Sequence, residues 1–392
     1  MGREESMGFS VEQFGLGDRR LADFVRVPWV LFRGDPCWTP PLRAELLGNR
    51  LLGIEGLLTE AHPYHRHADV THFLARDGRR LLGRVSAAVN HRLNDHNHTG
   101  VGFFGFYDAC DDDEVSHALL SAAEAWVRER GMETFRGPGG YSNATHEPYQ
   151  GVLVDGFAYP PTVELTHNPP YYARQMESYG LTKAMDYHAY LIRTSDKPSA
   201  RLASIVDAVK RRRTITTRCL SMADLRRDVD LIVKIYNEAW SANWGFLPLT
   251  EDEAAAMASS LKLVADPGLM RFAYVDGEIV AVLGALPDPY VAFRPRWNAF
   301  SDADLVRAAR LLLTRRRIPN LRLMFFGVRP PFRKLGVDAI LYLEVLEYAL
   351  KRGYETCEPS LLLETNDLVL RASASMGGEH YKTWRIYEKR LA

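Results

Sequence analysis

The stretch "LRLMFFGVRPPFRKLGVDAILYLEVLEYALKRG", residues Leu321 to Gly353, joins an apolar run to a long amphipathic segment through a short basic turn. The pattern predicts a strand, a turn holding Arg333, Lys334 and Gly336, and a helix that stops at Gly353. Such a turn directs unpaired backbone N–H groups and the positive helix end at one point. We therefore expect either a bound phosphate there or a bare connection with solvated basic side chains.

Composition places the chain among globular proteins of one large or two ordinary domains. It has 392 residues, 46% hydrophobic and 25% charged, with 49 basic and 49 acidic side chains. The zero net charge gives no global attraction to nucleic acid or membrane. The four cysteines form no C-x-x-C pair, which argues against a thiolate zinc site and a disulfide scaffold. Neither a secretory signal nor an apolar run of membrane-spanning length is recognised, so we expect a cytoplasmic protein without a membrane partner.

The two halves of the chain show the same order of predicted elements. A strand pair turns at Asp77-Gly78 in the first half and at Asp276-Gly277 in the second, and both dipeptides are typical of tight hairpins. The apolar strands "VGFFGFYDA" and "LRLMFFGV" follow, each leading into a helix. One helix is predicted from Glu114 to Arg130 and the other from Val337 to Arg352, and a glycine follows each.

Each half then repeats a second set of elements. A short strand precedes an Asn-initiated helix, predicted at Asn168 to Tyr179 and at Asn366 to Met376, and a closing strand follows. The polar segment around Pro198 separates the halves. The chain thus divides into domains 1–195 and 196–392.

This order, with the phrases "FFGFYDA", "VDGF", "NPPYY", "NEAWSANWGFLPLT" and "YKTWRIYEK", resembles the GNAT (GCN5-related N-acetyltransferase) superfamily. The likeness extends from about Val27 onward and is closer to bacterial proteins with two GNAT-like halves. It implies an α/β fold of two consecutive GNAT-like domains, each with a mixed, mostly antiparallel central sheet flanked by helices. It also implies an acyltransferase.

The superfamily holds the pyrophosphate of an acyl-CoA with the turn pattern Gln/Arg-x-x-Gly-x-Gly/Ala. Here the pattern falls on Arg333, Lys334, Leu335, Gly336, Val337 and Asp338. The resemblance assigns acetyl-CoA or another acyl-CoA to these residues, with Val328 and Asn366. Asp338 departs from the pattern, because the family has a small residue there. The first half carries "CDDDE" without glycine at the matching place, so its copy is interpreted as degenerate.

Amine acylation requires an uncharged nucleophile, an oxyanion donor and an acid for the leaving thiolate. Members of the superfamily often place a Tyr acid seven positions into the last helix, and this count lands on Ser373. Glu364 is the candidate base by resemblance; the alternative is a surface carboxylate that pairs with Arg371.

Two further segments are candidates for the acceptor side of the site. By resemblance, Trp240, Asn243, Trp244 and Phe246 in "NEAWSANWGF" shape the acceptor pocket; alternatively, the tryptophans hold the first helix of this half on the sheet. The turn-rich segment Gly137 to Gly151 contains His146, Glu147 and Tyr149, which are either an acid–base set or ordinary loop residues. The histidine clusters fit no common zinc signature, and no metal is expected.

These observations predict an N-acyltransferase that moves an acetyl or other small acyl group from acyl-CoA to a small-molecule amine. Basic runs at 210–213 and 315–317 keep an aminoacyl-tRNA donor open, because arginine clusters bind RNA phosphates. A non-catalytic tandem-GNAT scaffold is the third possibility. A homodimer is compatible with each of them.

Overall fold

The computed structural model describes residues 8–51, 53–142, 149–194, 200–212 and 214–391. The chain forms two compact units. The first contains Met1–Asp186, Phe293–Arg307 and Lys382–Ala392, and the second contains Tyr187–Ala292 and Ala308–Tyr381. The division of the chain into domains 1–195 and 196–392 stays a prediction.

The first half of the chain contains seven strands and five helices among the described residues. In chain order these are β1 (Ser10–Phe14), α1 (Leu21–Leu31), α2 (Arg43–Leu47), β2 (Ala68–Asp77), β3 (Arg80–Asn90), α3 (His91–Asn97), β4 (Val101–Ala109), α4 (Asp113–Arg128), β5 (Thr134–Gly139), β6 (Val152–Asp155), α5 (Tyr171–Ser178) and β7 (Thr182–Arg193).

The second half repeats the pattern with seven strands and seven helices among the described residues. These are α6 (Ala200–Arg212), β8 (Ile215–Cys219), α7 (Leu225–Ala239), α8 (Glu251–Val264), β9 (Met270–Val275), β10 (Glu278–Pro287), α9 (Tyr290–Phe293), α10 (Asp304–Thr314), β11 (Asn320–Val328), α11 (Val337–Arg352), β12 (Thr356–Pro359), β13 (Leu362–Leu363), α12 (Asp367–Ser375) and β14 (Glu379–Arg390).

Each unit has a mixed sheet that is mostly antiparallel. In the first unit the strand order is β1-β2-β3-β4-β5-β14, and in the second it is β7-β12-β11-β10-β9-β8. The parallel pairs are β4 with β5 and β11 with β12, and each of these connections contains a helix, as parallel strands require. The predicted α/β class is confirmed.

Apolar side chains on both faces of the second unit's sheet explain why helices cover it. One cluster joins Ile232 and Ile235 of α7 to Phe325 of β11. The other joins Leu341 and Val345 of α11 to strands on the opposite face. The clusters fix α7 and α11 on the two faces, since burying each such side chain stabilises the fold by roughly 1.5–3 kcal/mol.

The closing strand of each unit comes from the other half of the chain. In the first unit, Tyr387–Arg390 of β14 pair with Thr134–Gly137 of β5. In the second, Ile192 and Arg193 of β7 pair with Cys357 and Thr356 of β12. The sequence order does not reveal this exchange, because β7 and β14 are both apolar-alternating strands at equivalent places.

Predicted boundaries agree closely with the structure except at one helix. Val337–Arg352 is helical as predicted, and Gly353 ends it with a left-handed φ of 79°. The helix predicted to start at Asn168 is wrong in its start, since α5 begins at Tyr171. The Asn168 side chain instead bonds both the N–H (2.7 Å) and the carbonyl (3.1 Å) of Leu153 in β6. The Asn168 side chain therefore bonds the backbone of a strand and does not cap the helix.

None of the described helices combines the length and apolar character needed to cross a bilayer.

Candidate active site

The parallel pairing of β11 and β12 ends halfway along β11. Paired positions run from Asn320 with Thr356 to Leu323 with Pro359. Opposite, the register with β10 skips Met324, which makes Met324 a bulge residue. From Met324 to Val328, β11 therefore has no described strand partner on the β12 side, and this free edge leads directly to the basic turn.

The turn after β11 leaves the start of α11 open. Gly336 occupies the N-cap position with a left-handed φ of 78°, and no side chain caps the helix. Lys334 also has a positive φ, 69°. The exposed Asp338 carboxylate accepts no N–H bond among the described residues. Free N–H groups and the helix end thus create a region of positive potential.

Arginine side chains hold this turn in place. Arg333 donates to the Ala239 carbonyl at 2.7 Å and to the Val328 carbonyl at 3.3 Å, which ties the turn to the end of α7. Arg329 pairs with Glu238 and Glu278. Lys334 is exposed and has no acidic partner among the described residues. Lys334 is therefore a basic side chain of the turn that no bond to the described residues holds in place, unlike Arg333, which bonds two carbonyls.

The matching turn of the first unit is closed by its own side chains. The Asp112 carboxylate accepts the N–H groups of Glu114 at 2.9 Å and Val115 at 3.4 Å. Gln175, fully buried, donates to the Cys110 carbonyl at 2.8 Å. A Cβ on Gly105 would lie 2.0 Å from the Gly140 carbonyl oxygen, so β4 and β5 remain in contact there. Among the described residues, the N–H groups of Glu114 and Val115 are therefore occupied by Asp112, and β4 is in close contact with the chain at Gly140.

A buried polar cluster lies where β11 and β12 separate. Arg322 and Glu358 are opposite each other on these strands and are 6% and 2% exposed. The Tyr381 hydroxyl donates to the Glu358 carboxylate, and Arg322 Nε donates to Ser360 Oγ at 3.2 Å. The neighbouring residue Leu321 packs in the apolar cluster on the α11 side of the sheet. Since strand residues alternate, Arg322 and Glu358 face the other side of the sheet.

Sequence reasoning did not select Glu358, Tyr381 or Arg322. A signal was present for two of them: Glu358 lies in the short strand "TCEP" and Arg322 in the mostly apolar strand "NLRLMFFGV", and a charged residue inside a buried strand requires a partner. Nothing in the local sequence shows that Tyr381 is that partner, because Tyr381 is 23 residues away.

The predicted catalytic residues occupy different environments. Glu364 is half-buried after β13. Arg371 pairs with Asp367 at 3.4 Å. Ser373 is 1% exposed, and its hydroxyl has no hydrogen-bond partner in the described chain. His146 and Glu147 lie outside the described residues.

Asn366, predicted at the donor site, caps α12 and accepts the Val369 N–H at 3.4 Å. Its side-chain oxygen is thus engaged within the helix start.

The aromatic segment after α7 lies against the free part of β11. Trp240 Nε1 donates to the Phe326 carbonyl at 3.1 Å, and its ring lies 4.6 Å from that of Tyr236. Phe246 is 3% exposed and packs on Tyr236 at 5.4 Å. Trp240 and Phe246 thus anchor the segment. Asn243 and Trp244 remain partly exposed.

Tyr149 belongs to the first compact unit, where its ring lies 6.0 Å from Phe106.

Within the described residues, no group of three or more His, Cys, Asp and Glu side chains has the arrangement of a metal site.

Comparison with solved structures identifies the fold. A tandem GNAT protein from the clavulanic acid biosynthesis pathway superposes with a TM-score of 0.55 at 12% identity, covering 97% of this chain and 98% of that one. A GCN5-related N-acetyltransferase from Sphaerobacter thermophilus superposes with a TM-score of 0.53 at 16% identity, covering 98% and 96%. The chain has the tandem GNAT fold, as the resemblance in the sequence predicts.

Comparison with curated proteins narrows the class to a family. The chain is 32% identical over 380 residues, 95% of each chain, to the bacterial ceramide synthase of Caulobacter vibrioides. It is 29% identical over 387 residues to the protein YghO of Escherichia coli, covering 96% of this chain and 94% of that one. No family model matches. The chain belongs to the family that contains the Caulobacter enzyme.

Proposed function

We propose that this protein is an N-acyltransferase that moves a fatty acyl group from acyl-CoA to the primary amine of a long-chain amino alcohol. The observation that carries the proposal is the uncapped N-terminus of α11 beside the free edge of β11. The relative named as a ceramide synthase supports the choice of acceptor. A ceramide is the amide of a fatty acid and such an amino alcohol, so the bond formed is an ordinary N-acylation.

The donor's pyrophosphate is assigned to the open turn. Gly336 adopts the left-handed φ with which the turn enters α11, and the N–H groups that begin α11 supply donors. Lys334 contributes a free positive charge. Asp338 reduces the net attraction without blocking the N–H groups, since its carboxylate is exposed.

The apolar surface beside the turn favours a fatty acyl group over acetyl. Phe326, Val328, Phe332, Leu335 and Tyr342 are only partly buried although they pack on the second unit's core. The rings of Phe326 and Tyr342 are 4.8 Å apart. Covering such a surface with an acyl chain is favourable by roughly 0.8 kcal/mol per buried methylene group. An acetyl group has no methylene group and does not supply this free energy.

Glu358 and Tyr381 are assigned to proton transfer. The amine nitrogen attacks the thioester carbonyl carbon, forming the C–N bond and a tetrahedral oxyanion. The amine's proton passes to the Tyr381 oxygen as the Tyr381 proton moves to Glu358. Collapse of the tetrahedral intermediate breaks the C–S bond, and the proton held by Glu358 passes to the thiolate of CoA. Glu364 remains the competing base, because it is half-buried after the strand that follows Glu358.

Turnover tests this proposal directly. The purified chain is incubated with palmitoyl-CoA and sphinganine, and both free thiol and amide product are measured. Stoichiometric thiol and amide are expected, and Gly336→Glu should abolish both, because it adds bulk and negative charge at the N–H groups. Acetyl-CoA in place of palmitoyl-CoA tests the small-acyl alternative. Absence of turnover with every acyl-CoA, combined with ribonuclease-sensitive amide formation in extract, would replace this proposal with an aminoacyl-tRNA donor.

A further inference from the structure

One exposed segment of the second unit combines leucines with arginines. Leu312 and Leu313, at the end of α10, are 52% and 85% exposed. The 3-10 turn Arg315–Arg317 follows immediately, and all three arginines are exposed. We call residues 312–317 the leucine–arginine segment. Large apolar and cationic groups are thus presented to solvent within six consecutive residues.

Buried anchors on both sides hold this segment in position. Leu311 is 4% exposed and Ile318 is 5% exposed. Within the segment, the Thr314 hydroxyl donates to the Arg310 carbonyl at 2.7 Å, and Arg310 donates to the Ala292 carbonyl at 3.1 Å. The exposed leucines therefore lie on an ordered helix end, and their exposure is part of the fold.

The arginines of the segment have no ion-pair partner among the residues that the structure describes. The sequence contains no acidic residue between Asp304 and Asp338, although the whole chain has equal numbers of acidic and basic residues. In the described part of the chain, none of Arg315, Arg316 and Arg317 forms an ion pair. Three free guanidinium groups beside two exposed leucines are complementary to phosphates that lie above an apolar layer.

We propose that the leucine–arginine segment docks the protein on the surface of a membrane containing anionic lipids. Leu312 and Leu313 enter the boundary between headgroups and acyl chains, and Arg315, Arg316 and Arg317 bind lipid phosphates. RNA is less suited to this surface, because single-stranded RNA sites interleave basic groups with stacking aromatics and here the neighbours are aliphatic. The proposal departs from the expectation of no membrane partner, and it is independent of the assigned reaction.

Vesicle sedimentation of the full chain tests the proposal without any catalytic readout. The probes are vesicles of phosphatidylcholine alone and of phosphatidylcholine with phosphatidylglycerol. We expect binding to the anionic vesicles and little to the neutral ones. The triple variant Arg315→Gln, Arg316→Gln, Arg317→Gln should bind roughly 100-fold more weakly. Leu312→Ser with Leu313→Ser should weaken binding at least about 10-fold. Added salt should weaken it further.

Matched controls use exposed residues elsewhere. Lys210→Gln, Arg211→Gln, Arg212→Gln removes three exposed cations from the end of α6, and Leu51→Ser removes a leucine that is 87% exposed. Both controls should bind like the wild type. Absence of binding to anionic vesicles, or losses equal in controls and variants, would overturn the proposal. So would RNA binding lost in the arginine variant alone, or a chain dimer dissociated by the leucine variant without vesicle binding.

Discussion

Gly336 lies directly against Val209: a Cβ added to Gly336 would come within 2.5 Å of the Val209 Cγ2 methyl group. The same glycine has a left-handed φ of 78°. Conformation and packing therefore both require glycine where α11 begins. A larger side chain at this position would have to displace Val209.

Gly336→Ala is expected to lower the free energy of unfolding by about 1–3 kcal/mol, through backbone strain and the contact with Val209. Donor affinity should fall with it. Chemical denaturation and titration with CoA measure the two effects. Gly353→Ala is the matched control, since Gly353 has a φ of 79° with no atom within 4 Å of an added Cβ; it should show the strain alone. Adding Val209→Ala to Gly336→Ala should restore part of the loss, and equal effects of the two glycine variants would contradict the assigned contact.

Asp338→Ala should strengthen CoA binding. The carboxylate is exposed in the first turn of α11 and bonds no N–H group, so its removal frees nothing else and deletes one negative charge near the phosphates. A charge at a helix end contributes about 0.3–1 kcal/mol, and calorimetry should therefore show a gain of roughly two- to five-fold. Asp367→Ala, in the first turn of α12, is the control. Weaker binding by Asp338→Ala would mean that Asp338 supports the donor site.

Tyr381→Phe and Glu358→Gln should each lower kcat by roughly 10²- to 10⁴-fold, the range for loss of acid–base catalysis, with little change in CoA affinity. Both substitutions preserve side-chain size inside the cluster. Glu364→Gln distinguishes the competing base. A larger loss in Glu364→Gln than in Glu358→Gln would assign the base to Glu364, and lost CoA binding in all three would indicate structural roles.

We expect His72 to make the stability of the first unit sensitive to acid. Burial lowers the pKa of this fully buried imidazole to about 3, and its Nε2 lies 3.0 Å from the Tyr141 hydroxyl. Because the folded pKa is depressed, the neutral ring contributes stability that is present above the unfolded pKa near 6.5 and lost as pH falls toward 3. The slope of unfolding free energy reaches about 1.4 kcal/mol per pH unit.

His72→Gln should flatten this dependence between pH 6.5 and pH 3 in denaturant titrations. A slope unchanged from the wild type would mean that other groups cause the acid sensitivity.

Local chemistry explains which features the sequence predicts. The hairpin at Asp276-Gly277 has positive φ at both residues, 51° and 82°, which few other dipeptides adopt. The open turn before α11 likewise depends on residues that are neighbours in the sequence. The exchange of β7 and β14 is not, because it depends on which strand edge each closing strand meets. The Glu358–Tyr381 bond is also nonlocal, because its two residues lie 23 positions apart in the chain.

Calorimetric titration of the wild type and Gly336→Glu with CoA tests the central claim most directly. We predict one CoA bound per wild-type chain and no binding by the variant, because the turn before α11 has no side-chain cap, whereas Asp112 caps the matching turn before α4. Binding that survives Gly336→Glu, or a wild type that binds no CoA, would contradict the assignment of the Gly336 turn as the donor site.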